Sequence, residues 1–203
     1  MSRAKNLIII GAGGFGREVF WQIGQKSEYN ILGFVDDNPE LSVLGNIDWL
    51  MKYPGEIYVA ICIANPKIRQ DIYNKLKNHA HIKFPSLIMD GVRASETVSL
   101  GIGCIICCDV LLTVNITLGD FVIINPRCNI AHDTILGDFA TLYYNVNIAG
   151  AVQIGGGSEI GTGAVVIQNK TIGENTIIGA GAVVIKDIPA DCTAVGVPAR
   201  VLL

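Results

Sequence analysis

The sequence is short of the features that mark nucleic-acid binding, membrane insertion or secretion. Its 15 basic side chains are outnumbered by 18 acidic ones, a formal net charge of −3, and no cluster of Lys and Arg interrupts that balance. With only two Trp as well, nothing supplies the electrostatic footprint of a nucleic-acid or anionic-membrane partner. No apolar stretch reaches the roughly 20 residues that a membrane-spanning helix requires. Leu7–Ile10 runs straight into glycines, Arg17 and Glu18, without the length and cleavage pattern of a secretory signal. The six cysteines, Cys62, Cys104, Cys107, Cys108, Cys128 and Cys192, are unevenly spaced. A disulfide scaffold is therefore excluded, and a reducing, cytoplasmic location is expected.

Charge is also scarce in one half of the chain. Residues 1–86 hold 18 charged side chains and residues 100–185, a window of equal length, hold 8. The expected boundary lies near Pro85 and Ser86, giving domains 1–85 and 86–203.

What fills the second domain is a repeat. Every sixth residue from Leu100 to Val184 is Leu, Ile or Val, fifteen in succession. A period of six is the mark of a hexapeptide β-helix, in which each hexad forms one wall and its turn. A longer period of eighteen is visible too, because the aliphatic residue is followed by glycine at 101, 119, 137, 155 and 173. Four positions after each aliphatic residue the side chain is usually small or β-branched, as in Cys104, Val110, Val122, Cys128, Thr134, Ala140, Ser158, Ala164 and Ala182, with Lys170 the exception. Fifteen hexads make five coils, about 24 Å tall at the usual strand spacing.

The first domain reads as alternating strands and helices. A buried strand over 6–10 leads into Gly11-Ala12-Gly13-Gly14-Phe15-Gly16-Arg17, which fits G-x-G-x-x-G and opens a helix to about Gln25. A second strand, 31–35, ends in Asp36-Asp37, about where a ribose-binding carboxylate stands in a dinucleotide fold. With a third strand near 57–63, about 85 residues supply one mononucleotide half of a doubly wound sheet, a Rossmann-like half domain too small for a dinucleotide dehydrogenase. Asn65-Pro66 then reads as an N-cap with proline in the first helical turn, followed by Lys67 and Arg69. Helix N-termini with nearby cations suit phosphates.

The hexads, the closing Gly196-Val197-Pro198-Ala199-Arg200 and the glycine-loop domain together resemble the hexapeptide-repeat sugar acyltransferases. That family includes nucleotide 4-amino-sugar N-acetyltransferases and sialic acid O-acetyltransferase-like proteins. The resemblance implies a left-handed parallel β-helix after the α/β half domain, a homotrimer, acetyl-CoA held between subunits and a nucleotide sugar held by the first domain. Carried over residue by residue, it assigns Gly11, Gly13, Gly14, Asp36 and Asn65 to the substrate, and Gly150, Thr162, Ala180 and Pro198 to acetyl-CoA.

Candidate chemistry is narrow, since only His79, His81 and His132 are present. One histidine in the repeat excludes the three-histidine zinc site of β-helical carbonic anhydrases. Cys104 and Cys107 form a CxxC whose side chains should diverge, so no metal is expected. Ile130-Ala131-His132-Asp133-Thr134 resembles the family's active-site segment, with Thr141 where relatives often carry a second histidine. Acyl transfer needs a base near neutrality, which imidazole supplies. Asp133 would fix its tautomer, and Gly150, eighteen residues on, would offer a backbone N–H to the thioester oxygen. The expected activity is acetyl-CoA-dependent N-acetylation of a nucleotide-linked amino sugar of the 4-amino-4,6-dideoxy kind, in bacterial glycan synthesis. The alternatives are O-acetylation of a sugar or sialic acid, and a non-catalytic nucleotide-sugar-binding trimer.

Overall fold

The structure, a computed structural model, describes residues 4–24, 28–38 and 41–202. The chain divides into two compact units, Met1–Pro85 and Ser86–Leu203.

In the first unit, β1 (Lys5–Ile10), β2 (Tyr29–Val35), β3 (Ile57–Ile61) and β4 (Ile82–Lys83) form a parallel sheet in the order β2-β1-β3-β4. β1 lies between two neighbours, so Leu7, Ile8 and Ile9 are fully buried, as a continuous apolar run in a covered parallel sheet demands. Helices α1 (Gly14–Ile23), α2 (Ile47–Met51) and α3 (Pro66–Leu76) connect the strands. α3 begins as its sequence dictates, with the Asn65 side chain accepting from Ile68 N at 3.0 Å and Pro66 in the first turn. The expected end of α1 at Gln25 lies outside the described residues. α2 and β4 were not legible beforehand, because five residues and two residues are too short to show a period.

The second unit is a parallel β-solenoid with three walls. The first is an eight-stranded sheet running from Leu87–Ile88 to the closing hairpin Thr193–Val195 and Arg200–Val201. The second has six strands, from Arg93–Ala94 to Val183–Val184, and the third has five, from Ser99–Leu100 to Thr171–Ile172. Strand partners on neighbouring coils are eighteen residues apart, as in Leu100↔Leu118↔Leu136. The repeat begins two strands before Leu100, at Leu87–Ile88 and Arg93–Ala94, and with the Ile188 bridge at the far end six coils rather than five are built. Those strands escaped the sequence pattern because Ala94 breaks the series of large aliphatic residues, although Ile88 keeps its phase. At the far end the spacing tightens, with Ile177 pairing Thr193 and Ile172 bridging Ile188, sixteen residues on.

The glycine period has a steric cause. A Cβ on Gly101, Gly119, Gly137, Gly155 or Gly173 would press on the backbone of the next coil, at 2.6 Å from Gly119 C in the first case and 2.9 Å from Gly156 Cα in the third. Only residues without a side chain let the coils close at that position. Inside the prism, Cys104, Cys128, Thr134 and Ser158 are fully buried and spend their polar atoms on the backbone, Ser158 Oγ donating to the Gly173 carbonyl at 2.8 Å. Burial pushes the Cys128 thiol up to about 12 and raises Cys104 as well, so both are inert core fillers. Lys170 is only partly buried.

Candidate active site

The glycine loop closes the carboxyl end of β1. Gly11 adopts φ +100°, and a Cβ there would meet Ile63 Cδ1 at 2.7 Å and the Cys62 carbonyl oxygen at 2.9 Å. Glycine is thus required where β1 meets the chain leaving β3. Gly16 is equally constrained, since a Cβ would overlap the Gly11 carbonyl oxygen. Gly13 and Gly14, by contrast, face open space, and α1 starts at Gly13 without a side-chain cap. The first-turn amides of this ten-residue helix therefore take no side-chain cap at Gly13. Asp36, at the end of β2, accepts from Ala12 N with one carboxylate oxygen and from Asn38 N with the other, both at 2.9 Å. It braces the glycine loop itself. Gly11 and Asn65 stand at the carboxyl ends of the neighbouring strands β1 and β3, the point where the strand order reverses, which is where open α/β sheets bind ligands.

The two cations near α3 do something other than await a phosphate. Arg69 is fully buried, and its Nη1 donates to the carbonyls of Ile63 at 2.6 Å and Ala64 at 2.9 Å. Lys67 pairs with Asp71 at 3.2 Å one helical turn on. Arg69 therefore shapes the loop after β3. Arg69→Ala, which orphans both carbonyls, should destabilise the fold by about 3 kcal/mol. Chemical denaturation checks this, and a change below about 0.5 kcal/mol, the scale of an ordinary surface substitution, would contradict it.

In the solenoid, His132 and Asp133 occupy the turn between the second and third walls, after Asn129–Ile130 and before Ile135–Leu136. Asp133 has φ 59°, the left-handed conformation that the second residue of most of these turns adopts. It presents a carboxylate beside the imidazole, with His132 Nδ1 and Asp133 Oδ2 at 2.8 Å. Both side chains are more than half exposed. The hydrogen bonds from His132 and from Asn115 hold the Asp133 carboxyl below the usual carboxylate range. Ionised, it can only accept, so the neutral imidazole carries its proton on Nδ1 and leaves Nε2 bare.

Gly150 is the same turn position one coil on, where Ala151 N donates to the His132 carbonyl. A Cβ on Gly150 would overlap Cε1 and Nε2 of His132. The bare nitrogen thus lies against Gly150. No acceptor among the described residues takes the Gly150 N–H. Next to this turn, on the outer face of the second wall, runs a groove of about 300 Å³ lined by Asn129, Asn147, Ala131, Ala149, Val165 and Ile167.

Thr162 and Ala180 stack on each other at the opposite edge of that wall, in the turns entering it, where Gly181 N donates to the Thr162 carbonyl at 2.8 Å. Pro198 belongs to the closing segment laid on the last strand of the wall, with Val183 N donating to the Gly196 carbonyl and Ala199 N to the Val183 carbonyl. Within one chain, therefore, His132 and Gly150 come together at one edge, and Thr162 and Ala180 at the other. Thr141 is buried on the first wall, away from the His132 turn. Asn115, bonded to Asp133, was missed by sequence reasoning, although its spacing of eighteen was the available signal. Among the described residues, no group of three or more His, Cys, Asp or Glu is placed to hold a metal ion, and no helix is long and apolar enough to cross a membrane.

Comparison with known proteins bears on these features. Residues 6–76 match the family model of the PglD N-terminal domain. The chain is 29% identical to perosamine N-acetyltransferase from Caulobacter crescentus, solved as a histidine-to-asparagine variant with CoA and GDP-perosamine. That match covers 98% of this chain and 97% of the other, with a TM-score of 0.90. WeeI from Acinetobacter baumannii AYE is 30% identical, covering 98% of this chain and all of the other, with a TM-score of 0.84. The acetyltransferase domain of PglB from Neisseria gonorrhoeae FA1090 is 29% identical over 98% of this chain and all of that domain, with a TM-score of 0.87. It has also been solved with acetyl coenzyme A. A search of curated proteins by sequence finds no match. Likeness over the full length of both chains, together with the glycine-loop unit and the hexapeptide solenoid, makes this chain a member of the hexapeptide-repeat sugar acetyltransferases.

Proposed function

We propose that the protein transfers the acetyl group of acetyl-CoA to the amino group of a nucleotide-linked amino sugar, with His132 as general base. The observation that carries this reading is the turn in which Asp133 holds the imidazole so that bare Nε2 lies against Gly150, whose N–H is uncommitted. His132 Nε2 takes the proton as the acceptor nitrogen attacks the thioester carbon. The Gly150 N–H stabilises the oxyanion that forms. As the intermediate collapses, the C–S bond breaks and the imidazolium returns its proton to the departing thiolate. The Caulobacter relative holds both CoA and GDP-perosamine with a histidine replaced by asparagine or by alanine, so neither ligand needs that side chain in order to bind there.

The glycine loop, with Gly13 and Gly14 open above the α1 N-terminus, would hold the diphosphate of the nucleotide-sugar acceptor, and Gly11, Asp36 and Asn65 would shape that pocket. Acetyl-CoA would lie in a groove between two prisms, with Gly150 on one side and Thr162, Ala180 and Pro198 on the other. Because those groups stand on opposite edges in one chain, a cofactor bound between prisms would draw them from neighbouring subunits. A homotrimer fits this, and the groove on the second wall, with Ala131, Ala149, Val165 and Ile167 in its lining, is apolar surface that a neighbouring prism would cover. N-acetylation is favoured over O-acetylation because the Caulobacter match acts on an amino sugar.

Light scattering should give the mass of three chains, and a panel of nucleotide sugars should raise the melting temperature for at least one nucleotide amino sugar. A monomer at micromolar concentration, or no shift with any nucleotide sugar, would contradict these assignments.

A further inference from the structure

Asp133 sits on an exposed turn, where a lone carboxylate keeps most of its rotamer freedom and an exposed ion pair contributes little. It is held from the other side. Asn115, the same turn position one coil earlier, donates from Nδ2 to Asp133 Oδ1 at 3.1 Å, while Asp133 Oδ2 faces His132 Nδ1. Asn115 is itself seated, its backbone N donating to Thr97 Oγ1 at 2.8 Å, and its φ of 56° is a conformation that asparagine tolerates. Thr97, Asn115 and Asp133 thus form a ladder across three coils that ends at the imidazole. With one oxygen occupied by an amide donor, the carboxylate has one oxygen and one orientation left for His132.

We propose that Asn115 is a positioning residue for acetyl transfer, fixing the Asp133 carboxylate so that His132 keeps its proton on Nδ1 and its bare Nε2 towards Gly150. The proposal rests on His132 being the base. An identical-looking bond, Asn175 Nδ2 to Asp191 Oδ1 at 3.1 Å, occurs on another edge with no histidine beside it, so a purely architectural ladder has a built-in control.

The test combines kinetics with ¹⁵N NMR of the imidazole, whose signal is assigned by its loss in His132→Ala. Asn115→Gly keeps the backbone conformation and removes the donor. It should lower kcat by about tenfold with little change in KM, and shift the His132 ring towards the tautomer protonated on Nε2. Asn115→Asp keeps the shape but places a second carboxylate by Asp133, and should move the acid limb of the kcat profile to higher pH, because added negative charge favours the imidazolium. Among the described residues Asp133 is the one ionisable side chain bonded to the His132 ring, so the limb reports this pair. Asn175→Gly should change neither readout. An unchanged tautomer ratio in Asn115→Gly overturns the positioning role whatever the kinetics do. Loss of the tautomer preference together with wild-type kcat in both Asn115→Gly and His132→Ala would instead overturn the base assignment on which it rests.

Discussion

Replacing His132 by alanine should lower kcat by about 10²–10⁴, the usual contribution of a general base. The imidazole is more than half exposed and packs into no core, so the melting temperature should barely move. Affinity for the nucleotide sugar should hold as well, because the glycine loop that would bind it belongs to the other unit of the chain. A loss confined to kcat is the signature of an interaction made only in the transition state. Asp133→Asn should cost less, since it weakens the fixing of the tautomer while keeping the base. Steady-state kinetics at saturating substrates decide the matter, and near wild-type kcat in His132→Ala would remove the base assignment.

The second large effect is expected from one added methyl group. Gly150 does not have the positive φ that disfavours side chains, so Gly150→Ala is compatible with the backbone and should leave stability unchanged or slightly raised. Its Cβ, however, would fall on Cε1 and Nε2 of His132. The ring must swing into solvent, which parts it from Asp133 and moves Nε2 by an ångström or more. Misplacement of that size costs about 10²-fold in rate. The backbone N–H survives the substitution, so the loss would measure displacement of the base rather than removal of the oxyanion donor. Unchanged kinetics with Gly150→Ala would show that Nε2 does not work from the position it holds against this glycine.

The repeat could be read from the chain because one physical requirement recurs at every coil. Leu112, Ile130, Ile148 and Val166 fill the same internal site, and Gly119 and Gly137 meet the same approaching backbone. Where the requirement lapses, so does the signal: Ala94 lies in the open first coil, and the tightened coil near Ile188 departs from the period. The pairing of His132 with Gly150 follows from eighteen-residue arithmetic, and so does the separation of Gly150 from Thr162, twelve residues and therefore two walls on. A linear period fixes which residues stack but says nothing of which edge faces a neighbouring chain. Arg69 shows the other limit, for a cation in the first turn of a helix looks the same in sequence whether it awaits a phosphate or is buried against Ile63 and Ala64 carbonyls.

The most direct measurement is the initial rate of thiol release from acetyl-CoA with matched acceptors, a nucleotide-linked 4-amino sugar and its hydroxyl counterpart, using wild-type protein and His132→Ala. Rapid release with the amino acceptor, an acetylated nucleotide sugar identified by mass spectrometry, and loss of most of that rate in His132→Ala is the predicted result. Faster release with hydroxyl sugars than with any nucleotide amino sugar, or a rate indifferent to His132, would contradict it.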